Sequence, residues 1–265
     1  MKRVVVIGAH GFVGSAFVRY LKQFPIELIE VTRQNYPERA GCRADVVIQA
    51  SCNSRKYLAD DDPVAEFDLS VAHCLRALRS FPAPLHVHIS SADVYADLAN
   101  PSATTEESPI DLAKISNYGL HKLLAEELVR HYADCWLIVR LAGMLGPGLH
   151  KNPVFDILNS QPLRIHPDSR YQFASTDVVA ERVWRLVVGG EVKQVFNLCG
   201  RGLASPRQIA ELASRKLDLS FLDANAQPRV VDINIHKASR CFEMPATIDT
   251  VRAFIESCQS HNRAP

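Results

Sequence analysis

Neither sign of charge is in surplus. Against 30 lysines and arginines stand 29 aspartates and glutamates, a formal net charge of +1 over 265 residues. That balance removes the electrostatic case for a nucleic-acid partner or an anionic membrane surface. No apolar run is long enough to span a bilayer, and the apolar start of the chain is too short for a secretory leader. A cytoplasmic protein without membrane partners is the expectation. The seven cysteines (Cys42, Cys52, Cys74, Cys135, Cys199, Cys241 and Cys258) are odd in number, scattered, and never in a C-x-x-C pair. They read as reduced thiols, with neither a disulfide frame nor a zinc site. Internal repeats and low-complexity segments are also missing.

What the chain has is 47% apolar content, enough for a sizeable core in one α/β domain with a small appendage. Its organising stretch is Lys2–Phe17, KRVVVIGAHGFVGSAF. Val4–Ile7 is a β-branched run suited to a strand buried on both faces. Gly8, Gly11 and Gly14 follow at spacing G-x-x-G-x-x-G. Gly8 permits the turn off the strand, Gly11 lets backbone approach a diphosphate, and Gly14 lets the next helix pack close. The free N–H groups at that helix start then face anionic phosphate.

The pattern predicts a helix over Ser15–Phe24, with Phe17, Val18, Leu21 and Phe24 on its inner face, and a second strand over Glu27–Thr32. No carboxylate closes that strand. In a dinucleotide-binding fold an acid there holds the ribose 2′-hydroxyl of NAD, whereas Thr32-Arg33 offers a guanidinium fork for the 2′-phosphate of NADP. A third strand is expected over Ala44–Ala50, after a loop with no room for a full helix. Ser51–Asp62 reads as irregular. A helix follows over Val64–Ser80, with Val64, Phe67, Val71, Cys74, Leu75 and Leu78 inward and Asp61 and Asp62 at its positive end. Leu85–Ser91 reads as the fourth strand. Its His86 and His88 share a face, but no third ligand is spaced to complete a metal site. Asn100–Asp111 reads as a surface loop, Asn117–Ala133 as a long helix and Cys135–Leu141 as a fifth strand. This alternation argues a doubly wound parallel sheet.

Beyond Gly146-Pro147-Gly148, helices are expected over Asn152–Ser160, Thr176–Val188, Ser205–Lys216 and Ile248–Cys258, with a strand over Gln194–Leu198. These pieces look too dispersed for a core of their own. They are expected to pack on the C-terminal edge of the sheet and to roof a cleft.

Tyr118 and Lys122 lie four apart on the Asn117 helix, about 6 Å along its axis and on one face. A nearby ammonium favours the phenolate, so the pair is expected to make a usable general acid/base. Ser91, at a strand end, offers a hydroxyl for the same substrate oxygen. With the glycine loop, these residues carry a likeness. GAHGFVG (Gly8–Gly14), ISSADVY (Ile89–Tyr95), TEESPI (Thr105–Ile110), YGLHK (Tyr118–Lys122), RLAGMLGPG (Arg140–Gly148), FASTDVVA (Phe173–Ala180) and VFNLCG (Val195–Gly200) occur in order over nearly the whole chain. In this the sequence resembles the extended short-chain dehydrogenase/reductase family, which includes nucleotide-sugar epimerases, dehydratases and ketoreductases. The resemblance implies a Rossmann-type domain over 1–150 and a small substrate-binding region over 151–265. It implies Ser91, Tyr118 and Lys122 as catalytic residues, with Ser91 preferred to Ser90. The implied cofactor set is Gly8, Gly11, Phe12, Val13, Gly14, Thr32, Arg33, Ala50, Ser51, Tyr118 and Lys122. It also implies a homodimer paired through the helices Val64–Ser80 and Asn117–Ala133.

Three departures narrow the family. Ala92 and Asp93 follow the serine where dehydratases carry two acids, which leaves Asp93 as either a proton-transfer group or a turn carboxylate. Gly143 stands where epimerases carry an asparagine for the sugar-nucleotide diphosphate. The chain is also short. With the NADP reading, and NAD as the other possible cofactor, the expected reaction is reduction of a keto group on a sugar or nucleotide-sugar. A nucleotide-sugar epimerase and a non-catalytic cofactor-binding regulator are the alternatives. Asp93, Asn152 and Arg170 are the candidate substrate contacts.

Overall fold

The computed structural model describes residues 2–261. The chain divides into two compact units, each assembled from separated stretches. The first comprises Met1–Ala96, Glu106–Leu141 and Thr176–Asn197, and the second Asp97–Thr105, Ala142–Ser175 and Leu198–Pro265. This division does not coincide with a single break at residue 150, because the helix and strand after residue 175 fall in the first unit.

The first unit is built on six strands: β1 (Arg3–Ile7), β2 (Glu27–Val31), β3 (Val46–Gln49), β4 (Leu85–Ser91), β5 (Cys135–Leu141) and, last in the chain, a strand over Gln194–Leu198. Their spatial order is β2-β1-β3-β4-β5 followed by the Gln194–Leu198 strand. The pairs β1–β2, β1–β3, β3–β4 and β4–β5 all run parallel. Val4–Val6 and Val47–Ile48 are wholly buried, as β-branched runs covered on both faces must be. The chain leaves β1 towards β2 on one side and returns to β3 on the other. That reversal marks the crevice where an open parallel sheet binds its ligand.

Helix α1 (Gly14–Leu21) packs with the helix over Thr176–Val188, whereas the helices over His73–Ser80 and Asn117–Tyr132 pack together. Phe24, expected inward, lies beyond the end of α1, is partly exposed, and meets Tyr20 edge-on and Trp184 at a tilt instead. A one-turn helix α2 spans Tyr36–Arg39, and another, α3, spans Leu58–Asp61 within the stretch expected to be irregular. Asp62 caps the next helix, α4 (Pro63–Phe67), by accepting from the Ala65 N–H. The helix predicted from Val64 to Ser80 is not uniform. Asp68–Ala72 winds as a π-helix before α5 (His73–Ser80) resumes. The extra residue per turn rotates the inner face, so Val64 is 73% exposed and Phe67 40%, contrary to expectation. Val71, Cys74 and Leu78 are buried as expected. Helix α6 (Asn117–Tyr132) is capped by Ser116, whose Oγ accepts from the Gly119 N–H.

The second unit contains two short parallel pairs. One joins β6 (Gly143–Leu145) to a strand over Phe173–Ser175, and the other joins Arg170–Tyr171 to Val230–Val231. The expectation that these pieces lack a core is corrected. Leu145, Val154, Ile157, Leu163, Phe173, Ile209, Val251 and Ile255 form one buried cluster. Thr104, expected in a surface loop, is buried, and its hydroxyl accepts from the Asn234 N–H. The helix opened by Ser205 ends at Leu212, and the last runs over Thr247–His261. Among the described residues no helix is long and apolar enough to cross a membrane.

Candidate active site

The glycine loop is fixed by backbone bonds. Gly8 and Ala9 donate to the Val31 carbonyl at 2.9 and 3.1 Å, and Gly11 donates to the Gly8 carbonyl at 2.8 Å. Gly8 sits at φ 81°, and a Cβ on it would meet Ser51 at 3.0 Å. A Cβ on Gly14 would lie 2.0 Å from the Gly8 oxygen. The loop thus closes too tightly for a side chain at Gly8 or Gly14, as the spacing implies. Phe12 and Val13 complete the turn, Gly11 is exposed, and Val13 precedes α1. Ala50 donates to the Ile7 carbonyl at 3.0 Å, and Ser51 Oγ lies 2.8 Å from His73 Nε2. The ends of β1 and β3 are therefore neighbours, with Gly8 against Ser51. At the end of β2, the Thr32 N–H donates to Asn35 Oδ1 at 2.7 Å, and Arg33 is exposed. Burial, with Arg76 and Arg33, pushes the His73 imidazole below its ordinary value.

Tyr118 and Lys122 stand together on the buried face of α6. Lys122 Nζ lies 5.1 Å from the centre of the Tyr118 ring, and Lys56 Nζ lies 5.9 Å from it. The Tyr118 hydroxyl donates to the Asn53 carbonyl at 3.3 Å. The expected acidity of this phenol is corrected. Burial raises its pKa, and the opposing ammonium of Lys122 only partly offsets that rise. Lys122 is 1% exposed. Burial works against its charge, but Cys52, Tyr118 and Glu66 together hold the ammonium protonated above the ordinary lysine value. Its Nζ meets no acceptor in hydrogen-bond geometry among the described residues.

Ser91 closes β4, and its Oγ donates to Asp93 Oδ2 at 2.6 Å. Asp93 also pairs with Lys56 at 2.6 Å. Ser90 points the other way, and its Oγ donates to the buried Glu126 at 2.6 Å. Glu126 in turn receives both Nε and Nη2 of buried Arg140, at 3.0 and 2.7 Å. His86 and His88 are buried on the same strand, and burial pushes both down to about 4. Among the described residues no cluster suits a metal ion.

The other two candidate substrate contacts belong to the second unit. Asn152 caps a helix over Pro153–Leu158: its Oδ1 accepts from the Phe155 N–H and its Nδ2 donates to the Met144 carbonyl. Arg170 is exposed. Gly143 has a physical reason: a Cβ there would lie 2.6 Å from both the Gln172 oxygen and the Phe173 ring. Sequence reasoning missed Asn53, Lys56, Glu66 and Gly119. Only Gly119 left a signal, a glycine inside an otherwise strong helix pattern.

A parallel sheet that reverses at β1 and β3, with a glycine turn at that point, defines a dinucleotide-binding α/β fold. The chain belongs to the NAD dependent epimerase/dehydratase family, whose model matches residues 4–78 and 65–160. Its members are nicotinamide-dependent enzymes of the short-chain dehydrogenase/reductase type. No match was found among curated proteins. Solved structures of the same fold include RMD from Pseudomonas aeruginosa complexed with NADPH, at 23% identity and TM-score 0.80, covering 98% of this chain and 100% of that one. Another is dTDP-4-dehydrorhamnose reductase from Bacillus anthracis in complex with NADP, at 15% identity, TM-score 0.79, and 97% and 98% coverage. A third is UDP-glucuronic acid 4-epimerase from Bacillus cereus in complex with NAD, at 16% identity, TM-score 0.79, and 98% and 99% coverage.

Proposed function

We propose that the protein is an NADPH-dependent reductase of a keto group on a sugar or nucleotide-sugar. The observation that carries this reading is the pairing of Tyr118 with Lys122, the latter buried with an ammonium that finds no acceptor among the described residues. A dinucleotide held on the glycine loop suits both features, since a ribose brings hydroxyl oxygens that such an ammonium can bond. Gly8, Gly11, Phe12, Val13 and Gly14 would hold the diphosphate, and Ala50 and Ser51 would line the same crevice. Thr32 and Arg33 would meet the 2′-phosphate. Bound there, NADPH supplies a hydride to a carbonyl carbon. Tyr118 donates its proton to the carbonyl oxygen as negative charge develops there. Lys122 stabilises the phenolate left behind. Ser91 offers its hydroxyl to the same oxygen, and Asp93, anchored by Lys56, orients Ser91.

Reduction is favoured over epimerisation because Thr32 and Arg33, with no carboxylate at the end of β2, suit an NADP that exchanges at each turnover. The assignment of Asp93 to the sugar, the substrate role of the second unit, and pairing of two copies through α4–α5 and α6 belong to the same proposal. Light scattering checks the last. The principal test is a panel of nucleotide-linked keto sugars, followed by loss of NADPH absorbance with NADH in parallel. Tyr118→Phe is expected to lower turnover by about 100-fold or more while leaving NADPH binding intact. Absence of oxidation with every keto sugar refutes the reading. Interconversion of sugar epimers without net NADPH consumption assigns the epimerase instead.

A further inference from the structure

Glu66 is completely buried on α4, and none of the chemistry above uses it. A carboxylate withdrawn from water is tolerated only when opposite charge and hydrogen bonds meet it. Three segments meet on this one. His121, between Tyr118 and Lys122 on α6, presents Nδ1 to Glu66 Oε2 in a short contact. A carboxylate only accepts, so that nitrogen carries the proton. Ser70, in the π-helical turn, donates to Oε1 at 2.5 Å. Asn53, in the loop after β3, reaches Oε1 with its Nδ2 at 3.5 Å. The same Asn53 closes its loop on Arg55 through two side-chain bonds of 2.9 Å. Its backbone carbonyl is the acceptor for the Tyr118 hydroxyl. The loop that orients the phenol and the helix that carries it are therefore joined through a single buried carboxylate. The wider turn of Asp68–Ala72 follows immediately, a distortion that often accompanies functional sites.

We propose that Glu66, with His121, is a positioning residue of the active site. It pins the Asn53 loop, whose carbonyl receives the Tyr118 hydroxyl, against α6. This rests on the reading of Tyr118 and Lys122 as the catalytic pair. Lys122 is faced by Cys52 from the loop, by Tyr118 on its own helix, by Glu66 on α4, by Cys74 on α5 and by His88 on β4. Of these, Glu66 is the carboxylate.

The test compares the full chain with Glu66→Gln, which keeps the shape and removes the charge. Hydrogen exchange of the protein alone, read by mass spectrometry, is expected to be about tenfold faster or more in residues 51–57 and little changed in β1, β3 and β4. With a keto sugar that the parent reduces, kcat is expected to fall about tenfold or more while the KM for NADPH changes less, because the Asn53 carbonyl no longer fixes the Tyr118 hydroxyl. A general loosening of the fold with kcat unchanged overturns the proposal, as does unchanged exchange in residues 51–57. His121→Phe, which withdraws the donor and leaves Glu66, is read in the same way should the first variant not fold. If NADPH fails to bind the parent, the functional reading falls, while the exchange comparison still decides the role of Glu66.

Discussion

Replacing Gly119 by alanine sets two effects against each other, and the structure decides between them. Gly119 lies in the first turns of α6, where alanine should gain about 1 kcal/mol from helix propensity. The gain is not available here. A Cβ on Gly119 would stand 2.0 Å from the Asp93 carbonyl oxygen and 2.9 Å from its carbon, where real contacts do not fall below 3.0 Å. Both neighbours are backbone, so the helix or the 92–94 turn must retreat by about 1 Å. Overpacking of that kind costs about 1–3 kcal/mol, enough to cancel the propensity gain and reverse its sign. Near the upper end of that range the net loss is about 2 kcal/mol, or about 4–8 °C in Tm for a chain of this size. Calorimetry on the parent and Gly119→Ala reads it directly. The retreat also separates Tyr118, one residue away, from Ser91 and Asp93, so turnover is expected to fall with stability. A Tm equal to or above that of the parent would sink the claim that α6 is docked through this carbonyl.

Breaking the buried pair by Glu126→Gln leaves Arg140 without its counter-charge and is expected to cost about 3–5 kcal/mol in denaturant unfolding. Burial alone would raise the Glu126 carboxyl, but Arg140 overrides it and holds the pKa below the ordinary value. The unfolded chain then takes up the proton first, so this contribution disappears as pH falls below about 4, and the variant should lose that slope. His86 and His88 have the matching sign: buried neutral at about 4 against 6.5 in the unfolded chain, each favours unfolding as pH falls from 6.5 towards 4. Each contributes up to about 3 kcal/mol, and His88→Leu is expected to flatten the unfolding free energy over that window. Arg33→Ser is expected to weaken NADPH binding about tenfold and leave NADH unaffected. Equal weakening of both would remove the 2′-phosphate assignment.

Much of the sheet was legible because its signals are local. Val4–Ile7 and Leu85–Ser91 announce themselves by composition, and the glycine spacing needs only the backbone turn it allows. The helix after Pro63 was legible in extent but not in facing. Periodicity assumes a constant turn, and one π-helical segment moved Val64 and Phe67 to the surface while turning Glu66 inward. The core of the second unit was illegible for a different reason. Leu145, Phe173, Ile209 and Ile255 are far apart in sequence, and no short window shows that they meet. Asn53 and Glu66 gave no signal at all, since a polar residue in a loop or a helix ordinarily faces water.

The protonation of Tyr118 shows where spacing stops short of chemistry. Four residues on a helix place an ammonium near a phenol, and that attraction alone would make the phenol more acidic. Sequence spacing reveals that attraction and nothing that opposes it. Burial of the same phenol opposes it, and here burial prevails. The ammonium is held in its charged form, above the ordinary lysine value. A fixed cation beside a protonated phenol lowers the free energy of the phenolate formed when the proton leaves, without forming that phenolate beforehand. Such an arrangement is matched to giving a proton to a developing alkoxide. Running the same site as a base from rest requires the phenolate to exist first, against the full effect of burial.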